Sequence, residues 1–239
     1  MEQLADHAAA LGIALTPEHE AAFTLYTREL AAWNAHTNLT AITQPEAVAV
    51  RHFLDSLTVA SAFPTPFQPL PDYRLADVGT GAGFPGLPLK IVYPHLHLTL
   101  IEATGKKVAF LRHLCSLLGL PGVDFIHARA EEAGQMPGLR AKFDLVAARA
   151  VARLPVLLEY LLPLARIGGV CIAMKGTTAH QEAGDSTRAL RTLGGQLARI
   201  ETVALPGVDE PHHLVIVRKT LPTPAAYPRK PGTPTQKPL

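Results

Sequence analysis

The sequence predicts an α/β fold: a mainly parallel sheet with helices on both faces, preceded by a helical extension and closed by an antiparallel hairpin. Three features carry that prediction. Beyond Asp72, short apolar runs alternate with helix-like runs. The last two apolar runs are joined by a turn alone. Residues 1–70 show helical periodicity instead.

Taken in order, Thr16-Pro17-Glu18 opens a helix with a Thr cap, Pro at the first helical position and an acid in the first turn. Phe23, Tyr26, Leu30 and Trp33 then form an amphipathic stripe, broken from Asn34 to Thr40. Thr43-Gln44-Pro45-Glu46 starts a second helix that runs on to Phe63, with Val50, Phe53, Leu54 and Leu57 on one side. Pro64 to Pro71 reads as a linker and sets a boundary, giving three regions: 1–70, 71–220 and 221–239. Strands are predicted at Arg74–Val78, Leu96–Ile101, Val123–His127, Phe143–Ala147 and Gly169–Lys175. Helices are predicted at 86–92, 104–118, 131–135, 152–164 and 178–193. Ala198–Leu205 and His213–Lys219 form the closing hairpin. The last nineteen residues hold six prolines and three cations, a composition that forbids a helix or a central strand. Its prolines favour an extended segment. With Tyr227, Arg229 and Lys230 as anchor and charge, the tail is expected to fold back toward the functional face.

At 239 residues and 48% hydrophobic, the chain can bury a sizeable core, and global disorder is excluded. No apolar run approaches the roughly 20 residues of a membrane helix. The N-terminal MEQLADHAAALG lacks the basic end of a secretory signal. Cys115 and Cys171 make neither a disulfide framework nor a CxxC pair, so a reducing cytoplasm fits, and a monomer is expected. A net charge of +2 neither demands nor excludes a nucleic-acid partner. No His/Cys/carboxylate group has metal-ligand spacing; His212 and His213 are merely adjacent.

The densest signal is Asp77-Val78-Gly79-Thr80-Gly81-Ala82-Gly83-Phe84-Pro85-Gly86, between a predicted strand and helix. Glycines this close together let a backbone approach a ligand. Gly81 to Gly86 spells GxGxxG, so a dinucleotide is the first competitor. Asp77 argues against it, since an ionised carboxylate two residues before the first glycine repels a pyrophosphate. Pro85 and Pro88 also remove N–H donors from the helix start. A cationic adenosine ligand, S-adenosylmethionine, fits better. Glu102, ending the second strand, is placed to take its ribose hydroxyls. Ala103 and Thr104 would line the adenosine, Thr104 also being able to cap the next helix. Backbone groups of Ala130 and Glu131, after the third strand, would read the adenine edge.

The sequence resembles the bacterial small-subunit (16S) ribosomal RNA N7-guanine methyltransferases, also called the glucose-inhibited division protein B family. The resemblance rests on NLTAI at Asn38, RHFLDSL at Arg51, DVGTGAGFPGLPLKI at Asp77, LIEATGKKVAFL at Leu100, ARAVA at Ala148, KG at Lys175 and YPRKPGTPTQKPL at Tyr227. It implies a Rossmann-like, class I S-adenosylmethionine-dependent methyltransferase fold and methylation of one guanine at N7 in small-subunit ribosomal RNA. It also places Arg149 on the cofactor and raises Arg51 to a possible site wall.

Bottom-up, Arg149 can hold the cofactor carboxylate, the guanine oxygen or a structural ion pair. The loop after the fourth strand lacks the Asp/Asn-Pro-Pro-aromatic motif of amino-group methylation. Cys115 and Cys171 lie mid-element and read as core rather than as a cytosine-attacking nucleophile. Chemistry on a bare lone pair remains. Arg51 and Asp55, four residues apart, could simply pair on a solvated face. Lys106, Lys107, Arg112, Arg129, Arg149, Arg153, Lys175, Arg229 and Lys230 are the cations near loops or in the tail that would form a phosphate-binding surface, if they converge. A methyltransferase acting on another RNA atom, a cofactor-binding RNA-interaction protein without catalysis, and an NAD dehydrogenase stay open on the residues alone.

Overall fold

The computed structural model describes residues 2–63, 67–70 and 72–239. In the Pro64–Pro71 linker, Pro64, Thr65, Pro66 and Pro71 lie outside the described residues. Seven strands form one sheet: β1 (Arg74–Val78), β2 (His97–Glu102), β3 (Val123–His127), β4 (Phe143–Arg149), β5 (Ala165–Lys175), β6 (Gly195–Val203) and β7 (His212–Lys219). Their order is β3-β2-β1-β4-β5-β7-β6. The first five are parallel, and β7 runs antiparallel to both β5 and β6. The expected hairpin is present, with its second strand inserted beside β5.

Helices α1 (Glu2–Ala10), α2 (Pro17–Thr37), α3 (Pro45–Val48) and α4 (Asp55–Leu57) precede the sheet. Those between strands are α5 (Gly86–Val92), α6 (Gly105–Leu117), α7 (Ala130–Ala133), α8 (Leu154–Leu161), α9 (Ala179–Asp185) and α10 (Thr187–Leu193). The stripe of α2 is core: Phe23, Tyr26 and Leu30 are buried with Phe53, Phe84 and Phe110 in one cluster that includes residues of β1 and β2. A second apolar layer on the other sheet face takes α8, α9 and α10.

Three segments depart from the sequence expectation. The helix expected from Thr43 to Phe63 is broken into α3, a π-helical segment Ala49–Leu54, α4 and a 3₁₀ segment Thr58–Ala62. A π segment shifts hydrogen bonding toward i→i+5 and changes which residues share a face. Arg51 is left exposed while Asp55 is buried, so the Arg51–Asp55 pair that helical spacing allows does not form. The helix expected over 178–193 is divided at Ser186, whose hydroxyl donates to Glu182 O at 2.6 Å. Such back-bonding bends helices. The tail contains a single helical turn, α11 (Thr233–Gln236), with Pro234 in its first turn, where proline is tolerated.

Candidate functional site

The parallel register brings the ends of β1, β2 and β4 to one edge. Asp77 pairs with Leu100 and Ala147, while Glu102 and Arg149 end their strands just beyond. Because β7 is antiparallel, its first residue, His212, arrives at the same edge.

The glycine loop is built around Asp77. Its carboxylate is fully buried. Oδ2 accepts from the Thr80 hydroxyl at 2.6 Å and from Gly86 N–H at 2.8 Å. Oδ1 finds no partner among the described residues. Burial pushes the Asp77 carboxyl up to about 6, opposed by those two hydrogen bonds. Asp77 therefore braces the loop from beneath, and any influence on a ligand passes through the loop backbone. Gly79, Gly81 and Gly83 all take positive φ, at 64°, 60° and 106°. A Cβ at Gly83 would lie 2.5 Å from Leu87 Cδ1, whereas one at Gly81 meets nothing within 4 Å. Gly81 thus faces open space. Phe84 is buried, stacked 4.5 Å from His52 with the Arg149 guanidinium 4.9 Å from its ring centre.

Two clefts open along this edge. The first, about 480 Å³, is lined by Gly79, Glu102, Ala103, Ala128, Arg129, Ala130, Glu131, Val151, Ala152, Arg153 and Tyr160, together with Gly232, Thr235 and Pro238 of the tail. The Glu102 carboxylate accepts from Gly81 N–H at 3.0 Å and Thr104 N–H at 2.8 Å. A carboxylate offers about four lone-pair sites, so two remain for hydroxyls. Ala103 O is held by His127 Nε2 at 3.1 Å. Thr104 sits at the N-cap of α6 without a side-chain capping bond. The Glu131 carboxylate, buried, accepts from Gly232 N–H at 3.0 Å.

The second cleft, about 380 Å³, lies between the π segment and the ends of β4 and β5. Its lining includes Arg51, His52, Asp55, Arg149, Lys175 and His212. Asp55 is its hub: Oδ2 accepts from Arg149 at 2.9 Å, and Oδ1 lies 3.0 Å from His212 Nδ1. Arg149 also donates to Arg51 O at 2.8 Å and approaches His52 Nδ1 at 3.0 Å. The same Nδ1 lies 3.1 Å from Arg51 O, which only accepts, whereas the guanidinium only donates, so the two contacts ask for opposite tautomers; Nε2 lies 2.8 Å from the Thr40 hydroxyl. Burial, reinforced by the Arg149 charge, pushes the His52 imidazole down to about 4. His212 moves the other way, raised chiefly by its hydrogen bond to Asp55.

The expected cations divide between the two clefts and the tail: Arg149 and Lys175 line the second cleft together with Arg51. Asp55 holds Arg149 in the second cleft. Arg129 lines the rim of the first. Lys175 pairs with Glu182 at 2.8 Å and donates to Ala152 O at 2.9 Å. Arg229 is clamped on the wholly buried Glu159 at 2.6 Å. Both charges are neutralised by a carboxylate within the fold. Arg51, Lys107 and Lys230 form no ion pair with a carboxylate among the described residues. The same residues gather no group of three or more His, Cys, Asp or Glu able to hold a metal ion. No helix among them is long and apolar enough to cross a membrane.

Sequence reasoning missed Asp55 and His212 as partners and Tyr160 as a wall. RHFLDSL pointed to the region, but no periodicity signals a π segment. His212 was visible only as half of a His pair.

The profile of the family described as rRNA small subunit methyltransferase G matches residues 19–212. The chain is 47% identical over 225 residues, 94% of its length and 93% of the relative's, to the ribosomal RNA small subunit methyltransferase G of Lactobacillus delbrueckii subsp. bulgaricus. It is 47% identical over 240 residues, all of both chains, to the protein of that name from Roseiflexus castenholzii. Among solved structures it is similar to M. jannaschii TYW2 in complex with AdoMet. That match has a TM-score of 0.52 at 17% identity and covers 63% of this chain and 69% of the other, which speaks to the fold alone.

Proposed function

The chain belongs to the rRNA small subunit methyltransferase G family, and from that premise we propose that it transfers the methyl group of S-adenosylmethionine to N7 of one guanine in small-subunit ribosomal RNA. The observation that carries this is the pair of clefts meeting at the loop after β4. Ala150 lines one and Val151 the other.

The residues present fit the cofactor. The first cleft has the size of a small-molecule site, within about 300–1,000 Å³. Gly81 leaves open space where a side chain would stand, and Glu102 keeps acceptor capacity for a ribose. Ala130 and Glu131 flank the adenine position. When bound, the cofactor supplies an electrophilic methyl group on a sulfonium. The second cleft then receives the base, with Arg149 and His212 placed by Asp55 to meet its polar edge. Guanine N7 carries no proton in neutral water, so a general base has nothing to remove. Holding the two reactants in line can supply about 7–11 kcal/mol of the barrier. The Asp55 carboxylate offsets the Arg149 charge beside a base that becomes cationic. In the same proposal, residues 1–70 wall the substrate cleft, 71–220 form the transfer domain, and 221–239 close the cofactor cleft. The setting is a ribosomal particle in the cytoplasm, with the enzyme acting as a monomer.

The test is labelled methyl transfer to small subunits from cells lacking the gene, with the modified nucleotide mapped. Label at N7 of one guanine is expected; no transfer, or label on another atom, overturns the assignment. Glu102→Ala should weaken cofactor binding about 10- to 150-fold, the loss of a charge-assisted contact of about 1.5–3 kcal/mol. Single-turnover rates at saturating cofactor and RNA should vary little across neutral pH. A steep rise through one titration, abolished by replacing one side chain without loss of either ligand, would require a base and exclude N7.

A further inference from the structure

The first cleft has a wall that the sheet does not provide. Gly232, Thr235 and Pro238 close it opposite the strand ends. The tail reaches that position on a firm mooring. Arg229 donates from its side chain and its backbone N–H to Glu159, the latter at 2.8 Å. Gln135 donates to Pro228 O at 2.9 Å, and Arg140 to Tyr227 O at 2.7 Å. Beyond the mooring, Gly232 N–H donates to the Glu131 carboxylate at 3.0 Å, and the Thr235 hydroxyl lies 3.4 Å from that of Tyr160. Glu131 is thus shared: its side chain holds the tail, and its backbone lies in the first turn of α7, just after β3, at the adenine end of such a cleft. The wall itself is a glycine, a threonine and a proline. Small uncharged groups suit the face of a flat purine and not a phosphate, and Arg229 is turned away to Glu159.

We propose that the C-terminal turn, residues 231–239, is part of the cofactor site: it covers the adenine end of the first cleft, and its seating on Glu131 and cofactor binding strengthen each other. This rests on the methyltransferase reading of that cleft. Linkage makes the effect reciprocal, so a ligand that binds better with the tail seated must also hold the tail down by the same factor.

The test measures S-adenosylhomocysteine affinity by calorimetry in the intact chain and two variants. Full-length Gly232→Pro removes the N–H that Glu131 accepts and cannot adopt the φ of 84° found there. A chain ending at Lys230 keeps the Arg229–Glu159 clamp and loses only the wall. Both should raise Kd about tenfold, the scale of one or two lost contacts, while unfolding cooperatively like the parent. In the intact chain the ligand should slow amide hydrogen exchange across residues 231–239. Unchanged affinity in both variants, or no change in exchange, overturns the proposal. If the variants lose RNA methylation while binding the ligand as before, the tail is an RNA contact; the proposal falls and the transferase reading stands. An intact chain that fails to bind S-adenosylhomocysteine overturns both, which separates the two failures.

Discussion

The two clefts share one sheet edge and are made of different material. The first is walled mainly by backbone and small side chains, Gly79, Ala103, Ala128, Ala130 and Ala152, with Glu102, Glu131, Arg129 and Arg153 set singly among them. The second is walled by charge, with Arg149, His212 and Asp55 joined through one buried carboxylate. A wall of backbone presents fixed donors and a fixed shape, which suits one invariant small molecule. A wall of linked charges depends on each partner remaining in place. The contrast teaches where damage should appear: in ligand affinity for the first cleft, in stability and substrate handling for the second.

Asp55→Ala is the strongest way to break that contrast. It leaves Arg149 and His212 without their common acceptor in a largely buried setting. Removing one partner of a buried pair costs about 3–5 kcal/mol. Urea unfolding should report that loss, while the folded fraction keeps its affinity for S-adenosylhomocysteine. Intact stability with lost cofactor binding would merge the two clefts into one site.

The contrast also explains what the sequence could tell. The loop beside the first cleft was legible because its parts are local: Gly79, Gly81 and Gly83 fall within five residues, and Glu102, whose carboxylate accepts from Gly81 N–H, stands at a strand end. Asp77 was noticed for the same reason, although burial sets it beneath the loop rather than beside a ligand. The second cleft joins Asp55, Arg149 and His212 across more than 150 residues of chain. No local pattern signals such a meeting. Helical spacing pairs Arg51 with Asp55, and the π segment overrides it. The alternating pattern located the sheet because burial and chain reversal are local. It did not place β7 between β5 and β6, which is a long-range choice.

A pH series probes the second cleft at the next scale. The folded His52 imidazole lies at about 4, below the ordinary 6.5. A depressed folded value gives stability that is complete above the unfolded pKa and lost as pH falls. The window is therefore about 6.5 down to 4, and the loss is on the order of 3 kcal/mol. Asp77 works oppositely: a folded value of about 6 against 3.8 favours the fold in acid, and that contribution fades as pH rises through 6. Thermal unfolding of His52→Gln should therefore lose less stability between pH 6.5 and 4 than the parent does. Parallel curves would mean that His52 is protonated within the fold.

The smallest effects separate free from neutralised cations. Lys107 and Lys230 pair with no carboxylate among the described residues, and Lys230 is exposed. If they meet phosphates, Lys107→Ala and Lys230→Ala should each lower the slope of log binding against log salt by about one unit. Lys175 was expected to behave likewise, but its ammonium lies 2.8 Å from Glu182, whose carboxylate also accepts from Leu154 N–H at 2.6 Å. That triangle ties β5, α9 and the start of α8 together. A lysine already paired releases few counterions when RNA arrives, so Lys175→Ala should leave the slope nearly unchanged and lower stability instead. Filter binding of small-subunit RNA at several salt concentrations, alongside urea unfolding of each variant, decides the matter. A unit drop in slope for Lys175→Ala at full stability would put its charge on the RNA and make Glu182 a partner that RNA displaces.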